Sequence, residues 1–196
     1  MNDKILSAAT TGNLSELRGL LDSGADVNIR DAFGWTSLMW AASMGFPEVV
    51  RMLVKNDADV DAVDQYGATA LMKASRRGFL DVVKVLLEEG ASVNANDEFG
   101  WTALMRAARR GYADVVKTLI DFGANIEEAD QYGATALIMA ASEGHLETVK
   151  ALLELGADPH SRDRNSWTAL MWAQSMRHAD VIAVLKEYET KTKEKA

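Results

Sequence analysis

The sequence predicts an all-α fold built from repeated helix–turn–helix units, and three observations carry this prediction. The spacing that separates Gly34 from Gly67 recurs along the chain without a slip, most visibly in one series of glycines and one of threonines. Each threonine can cap a short, Ala-rich helix that ends near another glycine. A second, more apolar helical segment follows, as at residues 82–87. A fixed period of about 33 residues indicates a repeat architecture. The recurring positions are Gly34, Gly67, Gly100 and Gly133, and Thr36, Thr69, Thr102, Thr135 and Thr168.

Aspartates mark where the repeats begin. Asp31, Asp64, Asp97, Asp130 and Asp163 recur at the same spacing, and the first four open an Asp-x-x-Gly turn. We therefore expect a single domain over residues 1–190, followed by a frayed tail at 191–196. The units, called repeats one to six below, lie at about 1–30, 31–63, 64–96, 97–129, 130–162 and 163–190.

The pattern resembles the ankyrin repeat. Repeat three has a turn from Asp64 to Gly67, the cap Thr69, a short helix closed by Gly78, and an apolar helix ending at Gly90. The resemblance implies a solenoid of antiparallel helix pairs joined by turn or hairpin loops, which binds a partner on its concave face. This chain reads Thr-Ala-Leu-Met at 69–72, where the family has Thr-Pro-Leu-His. Methionine packing is expected to substitute for the missing side-chain hydrogen bonds.

A second period, twice as long as the first, is superimposed on it. Phe33 and Trp35 flank the turn glycine of repeat two, and Phe99 and Trp101 flank that of repeat four. Repeats three and five carry tyrosine and alanine in these places. The rhythm indicates either duplication of a two-repeat block or a designed sequence.

The end repeats depart from the pattern. Repeat one lacks the turn, and repeat six has Ser166 and Arg177 in place of the turn glycine and the helix-closing glycine. Terminal repeats have no neighbour on their outer side, so polar substitutions there are expected to keep the array soluble.

Composition excludes several classes of function. The formal net charge of -8 argues against a protein that binds nucleic acid through its overall field. The chain has no cysteine, which excludes disulfides and thiolate metal sites. We find no apolar stretch of about 18 residues and therefore expect no membrane insertion. A cytoplasmic location is the default expectation.

A search for catalytic residues finds little. None of the three histidines has the i, i+4 partner of a helical metal site. Paired acids such as Glu88 and Glu89 are adjacent in sequence, so their side chains diverge. No Gly-rich phosphate-binding loop is present, because the repeat explains the glycines. We therefore expect no enzyme, no catalytic residue, no cofactor and no metal.

Six cations stand out in this acidic chain. Lys73, Arg76 and Arg77 share one face of the first helix of repeat three, since positions i, i+3 and i+4 of a helix lie together. The same positions of repeat four also carry cations. Aromatic residues and methionines occupy the turn tips and first helices of the flanking repeats. The candidate partner-binding residues are Phe33, Trp35, Trp40, Met44, Tyr66, Lys73, Arg76, Arg77, Phe99, Trp101, Arg106, Arg109, Arg110, Tyr132, Trp167 and Trp172.

Two interpretations of these residues remain open. The arginines can be solvated cations balanced by nearby acids, and the tryptophans can serve packing between repeats. Against this, Trp, Tyr and Arg are the residue types that concentrate at binding hot spots. We favour a binding surface.

The sequence therefore predicts a monomeric protein-interaction module for an acidic or phosphorylated segment with apolar anchors. Arg76, Arg77, Arg109 and Arg110 would contact carboxylates or phosphates, because arginine binds them bidentately. One alternative is an electrostatic binder of a nucleic acid or phosphorylated ligand, with bases stacked on tryptophan. Another is a structural or engineered scaffold that associates with itself.

Overall fold

The computed structural model describes residues 2–193 as twelve α-helices with no β-strand among them. The predicted all-α fold of helix–turn–helix repeats is confirmed. Residues 194–196 of the expected frayed tail lie outside the described residues, whereas 191–193 continue the last helix. The helices are α1 Asn2–Thr11, α2 Leu14–Asp22, α3 Ser37–Met44, α4 Pro47–Val54, α5 Ala70–Arg77, α6 Leu80–Glu88, α7 Ala103–Arg109, α8 Ala113–Asp121, α9 Ala136–Ser142, α10 Leu146–Glu154, α11 Ala169–Met176 and α12 Ala179–Lys193.

Contacts divide the chain into two compact blocks, an N-terminal block Met1–Glu98 and a C-terminal block Phe99–Ala196. In the N-terminal block, α3 packs between α1 and α5, and α4 packs between α2 and α6. In the C-terminal block, α9 packs between α7 and α11, and α10 packs between α8 and α12. First helices thus form one layer of each block and second helices form the other.

The core of each block is made by equivalent positions of successive repeats. Leu38 and Leu71 are buried in the N-terminal block, and Leu104 and Leu137 are buried in the C-terminal block. Alanines at 0% exposure, such as Ala74 and Ala107, let neighbouring first helices approach closely. The methionines that replace the family's histidine are core residues in repeats two to four, namely Met39, Met72 and Met105.

The predicted threonine caps are confirmed. The side chain of Thr36 accepts a hydrogen bond from the backbone N–H of Met39, at 3.3 Å. The threonines of repeats three to six accept the equivalent bond. Each cap satisfies one of the backbone donors that the first turn of a helix leaves open.

Backbone hydrogen bonds join neighbouring turns, alongside side-chain bonds such as that from Arg30 to the carbonyl of Val63. The N–H of Gln65 donates to the carbonyl of Phe33 at 3.3 Å, and the N–H of Arg164 donates to the carbonyl of Tyr132 at 2.9 Å. These bonds link repeats two and three, and repeats five and six.

Repeat six has the same backbone conformation at two positions where it carries other residues in place of glycine. Ser166 has φ 64° and Arg177 has φ 63°, both in the left-handed region that glycine occupies in earlier repeats. A side chain in that region costs about 1–2 kcal/mol. Repeat six thus retains the turn geometry despite its different sequence.

Among the described residues, no helix combines the length and the apolar character needed to cross a membrane.

Candidate partner-binding surface

The turns of repeats two, three, five and six each lie within one block, and the aspartate that begins each of them organises its hydrogen bonds. The Oδ1 atom of Asp31 accepts hydrogen bonds from the backbone N–H groups of Phe33 and Trp35, at 2.8 and 2.9 Å. The indole N–H of Trp40 donates to the other carboxylate oxygen at 2.9 Å. One aspartate therefore holds its turn with Oδ1 and receives a side chain from the following helix with Oδ2.

Lys73 takes the place of Trp40 in repeat three. Its ammonium group forms an ion pair with Oδ2 of Asp64 and lies 4.0 Å from the ring centroid of Trp35. The side chain of Asp64 is 1% exposed and that of Lys73 is 14% exposed. Lys73 is thus half of a largely buried ion pair rather than an outward-facing cation.

This ion pair affects the acidity of Asp64. Burial raises the pKa of the carboxyl group, but the hydrogen bond from Lys73 and those from the backbone of Ala68 and Tyr66 outweigh it. The charge of Lys73 acts in the same direction as these bonds. The pKa of Asp64 therefore lies below its ordinary value of 3.8.

Repeats five and six differ at the same position. In repeat six, the indole N–H of Trp172 donates to Oδ2 of Asp163 at 2.9 Å, as Trp40 does in repeat two. In repeat five, Asp130 holds its turn in the usual way, but the helix supplies Met139, which has no N–H or O–H group to donate. Asp130 is the one turn aspartate of the C-terminal block whose Oδ2 accepts no hydrogen bond from a described residue.

The cations of repeat four lie around Trp101. The guanidinium carbons of Arg106 and Arg109 are 5.7 and 5.1 Å from its ring centroid. Arg109 also donates from Nε to Glu143 at 3.1 Å, and both of these side chains are about half exposed. Arg106 is half-buried.

Aromatic side chains at the turn tips are the most exposed large apolar groups of repeats two, three and five, and in repeat four Phe99 is 45% exposed, compared with 46% for Phe122. Phe33 and Tyr66 are exposed in the N-terminal block, and Phe99 and Tyr132 are exposed in the C-terminal block, with Tyr132 reaching 63%. Trp167 of repeat six is 37% exposed and packs on Trp172, with 4.9 Å between the ring centroids.

Arginines at the ends of two first helices are exposed as well. Arg77 ends α5, and Arg110 follows the last residue of α7 in the equivalent position. Neither forms an ion pair with a residue that the structure describes. Arg76 is also exposed.

Besides the pair of Trp167 and Trp172, the structure assembles candidate residues as one packed group in each block. Trp35, Trp40 and Lys73 form one packed group, in which the two indole rings are 4.6 Å apart. Trp101, Arg106 and Arg109 form another. Met44 is exposed at the end of α3.

Two histidines serve the contact between repeats. His145 and His178 occupy equivalent positions, and their Nε2 atoms donate to the carbonyls of Arg109 and Ser142, at 3.0 and 3.1 Å. The part of the chain that the structure describes contains no group of three or more His, Asp or Glu residues able to hold a metal ion.

Sequence reasoning placed Asp130 at the start of its turn and Met139 on the first helix of repeat five, but did not connect the two residues. The signal is present in the register: the residues that stand in the place of Trp40 in successive repeats are Lys73, Arg106, Met139 and Trp172. Met139 alone among them has no side-chain donor. The register could not show that the side chain at this position donates to Oδ2 of the turn aspartate.

Comparison with known proteins agrees with the repeat pattern. The chain is 57% identical over 37 residues to a Bos taurus protein named "Ankyrin repeat, SAM and basic leucine zipper domain-containing protein 1", a match that covers 19% of this chain and 8% of that protein. The Mus musculus protein of the same name is 45% identical over 47 residues, or 24% of this chain and 10% of that protein. The chain thus spans about a tenth of the length of these relatives or less.

A family model described as "Ankyrin repeats (3 copies)" matches residues 5–97 and 90–163. Repeats of this family generally serve as protein–protein interaction modules and are typically non-catalytic. Since the match covers well over half of the sequence, the chain belongs to the ankyrin-repeat family.

Proposed function

We propose that this chain is a non-catalytic protein-interaction module that binds an acidic or phosphorylated segment of another protein, with apolar side chains of the segment as anchors. The observation that carries the proposal is the exposure of Arg77 and Arg110, which form no ion pair with any described residue. Two cations in an acidic chain are thus available to an external anion.

The fold does not require arginine where Arg77 and Arg110 lie. The equivalent residues of the other repeats are Met44, Glu143 and Met176, all exposed. A cation near the C-terminus of a helix gains about 0.3–1 kcal/mol from the helix dipole, but glutamate at the same place loses it. Because the position tolerates a neutral or acidic side chain, recognition is the better explanation for two arginines.

The turn-tip aromatics supply the apolar part of the surface. Phe33 and Tyr66 in one block, and Phe99 and Tyr132 in the other, leave much of their rings in solvent. An aromatic side chain that serves packing alone would be buried. Partially exposed aromatic rings beside arginine have the composition of an interface hot spot.

The proposal gives different roles to the six cations. Arg76, Arg77, Arg109 and Arg110 contact the partner, with Arg109 held in position by Glu143 and Trp101. Lys73 belongs to the fold, since its ammonium group is already bound to Asp64. In this proposal the chain acts as a cytoplasmic monomer and the surface is the concave face of the ankyrin array.

A panel of labelled probes tests the chemistry of the partner. We would measure fluorescence anisotropy with peptides of equal length in which leucine alternates with glutamate, phosphoserine or lysine, and with single-stranded oligothymidine. Binding of the glutamate or phosphoserine peptide, weaker at ~300 mM than at ~50 mM NaCl, is expected. Binding of the oligonucleotide in preference to both peptides, with a steep salt dependence, would overturn the proposal.

A further inference from the structure

A pocket of about 320 Å³ is lined by repeats four to six, entirely within the C-terminal block. The rings of Trp101, Tyr132 and Trp172 contribute to its walls, together with Met139 and the carboxylate of Asp130. Its size is at the lower end of the range of small-ligand sites, and its lining combines aromatic surface with a few polar groups.

Asp130 lines the pocket with one carboxylate oxygen unpaired. The residue is only 8% exposed, and its Oδ1 atom already holds the turn through the N–H groups of Tyr132 and Ala134. Its Oδ2 atom accepts no hydrogen bond from a described residue, because the helix offers Met139 in place of a donor. This oxygen is not among the fully buried unpaired atoms, so a cation or a hydrogen-bond donor in the pocket can reach it.

The other charges around the pocket do not neutralise Asp130. Asp163 is a second carboxylate in the lining, and its oxygens are occupied by its own turn and by Trp172. Arg109 lies at the pocket but pairs with Glu143. Three carboxylates therefore face one guanidinium, so the pocket favours a cation.

The same protein shows how such a pocket is filled. Trp35, Asp64 and Lys73 occupy the positions that Trp101, Asp130 and Met139 occupy two repeats later. In the earlier set, the lysine ammonium group lies against the tryptophan ring and on the aspartate oxygen. In the later set, the ring and the carboxylate are retained and the ammonium group is missing, while the guanidinium carbons of Arg106 and Arg109 lie 5.7 and 5.1 Å from the ring centroid.

We propose that this pocket of repeats four to six binds a lysine side chain of the partner, whose ammonium group occupies the place that Lys73 fills in repeat three. Asp130 accepts its hydrogen bond and Trp101 provides the cation–π contact. The inference rests on the proposed function in one respect, namely that the lysine belongs to a protein partner. The site does not use Arg77 or Arg110, which do not line the pocket.

A small probe tests the pocket without the partner. We would titrate the ¹⁵N-labelled chain with the peptide Ac-Gly-Lys-Gly-NH₂ and follow the indole N–H signals of Trp101 and Trp172 by NMR. The expected result is a saturable shift of both signals. The same peptide with an Nε-acetylated lysine, which has lost its charge, is expected to shift neither.

Three variants locate the site. Asp130→Asn keeps the Oδ1 acceptor of the turn but removes the charge, and is expected to weaken binding by at least about tenfold. Met139→Lys supplies an internal ammonium group and is expected to abolish binding. Lys73→Met empties the equivalent place in repeat three, and is expected to add a second set of shifts at the indole signal of Trp35.

Two results would overturn the inference: no shift of Trp101 or Trp172 up to the solubility limit of the lysine peptide, or equal binding by wild type and Asp130→Asn. The variant Arg77→Glu with Arg110→Glu separates this site from the proposed arginine surface. It is expected to lose the acidic peptide and retain the lysine peptide, so that either hypothesis can fail alone.

Discussion

Lys73 donates its ammonium group to Asp64 from the helix that follows the Asp64 turn, and the same ammonium group lies 4.0 Å from the ring centroid of Trp35 in the preceding repeat. One side chain thus closes its own turn and joins two repeats. The contact is largely buried, so removing one partner leaves an uncompensated charge and costs more than breaking a surface ion pair.

Removing this ammonium group should destabilise the protein. Lys73→Met leaves the carboxylate of Asp64 buried without its partner, and we expect a loss of about 3 kcal/mol in the free energy of unfolding. Urea denaturation would measure it. Lys84→Met is the matched control, because Lys84 is exposed on the second helix of the same repeat. Equal denaturation midpoints for the two variants would show that the ion pair is not structural.

The stability of the protein should depend on pH through Asp64. Its folded-state pKa is lowered from 3.8, so its ionisation stabilises the fold above that value, and this contribution is lost as the pH falls through the folded-state pKa. Asp64→Asn retains an oxygen for the turn but cannot ionise. We expect wild type to be more stable than Asp64→Asn at neutral pH.

This difference in unfolding free energy should shrink as the pH falls below 3.8. Denaturation curves of both proteins at a series of pH values would measure it. The other carboxyl groups are common to the two proteins, so the comparison isolates Asp64. A difference that stays constant from neutral to strongly acidic pH would contradict this assignment.

Packing between repeats predicts that replacing two glycines of the same backbone conformation by alanine lowers the free energy of unfolding by unequal amounts. Gly24 and Gly45 both have φ 81°, but an added Cβ would meet nothing within 4 Å at Gly24 and the ring of Phe79 at 2.9 Å at Gly45. We expect Gly24→Ala to cost about 1 kcal/mol through backbone strain alone, and Gly45→Ala to cost about 1–3 kcal/mol more. Thermal or urea denaturation checks the difference, and equal costs would mean that the Phe79 ring moves aside freely.

The internal comparison between repeats three and five also predicts a stabilising substitution. Met139→Lys should place an ammonium group between Trp101 and the open oxygen of Asp130, and raise the free energy of unfolding by about 1 kcal/mol. The gain should disappear in the background of Asp130→Asn. A destabilised Met139→Lys variant whose stability does not respond to Asp130→Asn would show that the two sites differ in geometry.

The sequence predicted the repeat architecture because its period fixes which residues are equivalent. Thr36 and its four equivalents were expected to cap helices and do so. These features depend on local chemistry that recurs in every unit of the period. The helix bounds and the buried leucines follow from the same register.

The role of individual cations could not be predicted in this way. Helical spacing places Lys73, Arg76 and Arg77 on one face, but it does not say that a lysine at that depth reaches Asp64. The pocket at Asp130 could not be predicted for the same reason, because a methionine in a helix is expected to be a core residue unless its neighbours are known. Contacts between a turn and its following helix decide both cases.

Charge reversal at the two exposed arginines tests the account most directly. We would compare Arg77→Glu/Arg110→Glu with Lys84→Glu/Lys117→Glu, a control with the same change of charge at exposed positions that are likewise equivalent in repeats three and four. The readouts are the affinity for the glutamate–leucine peptide and the free energy of unfolding. Only the arginine variant should lose affinity, by at least about tenfold, while both variants remain folded and the arginine variant loses no more stability than the helix-dipole contribution of about 0.3–1 kcal/mol for each arginine. Equal affinity of the two variants would contradict it.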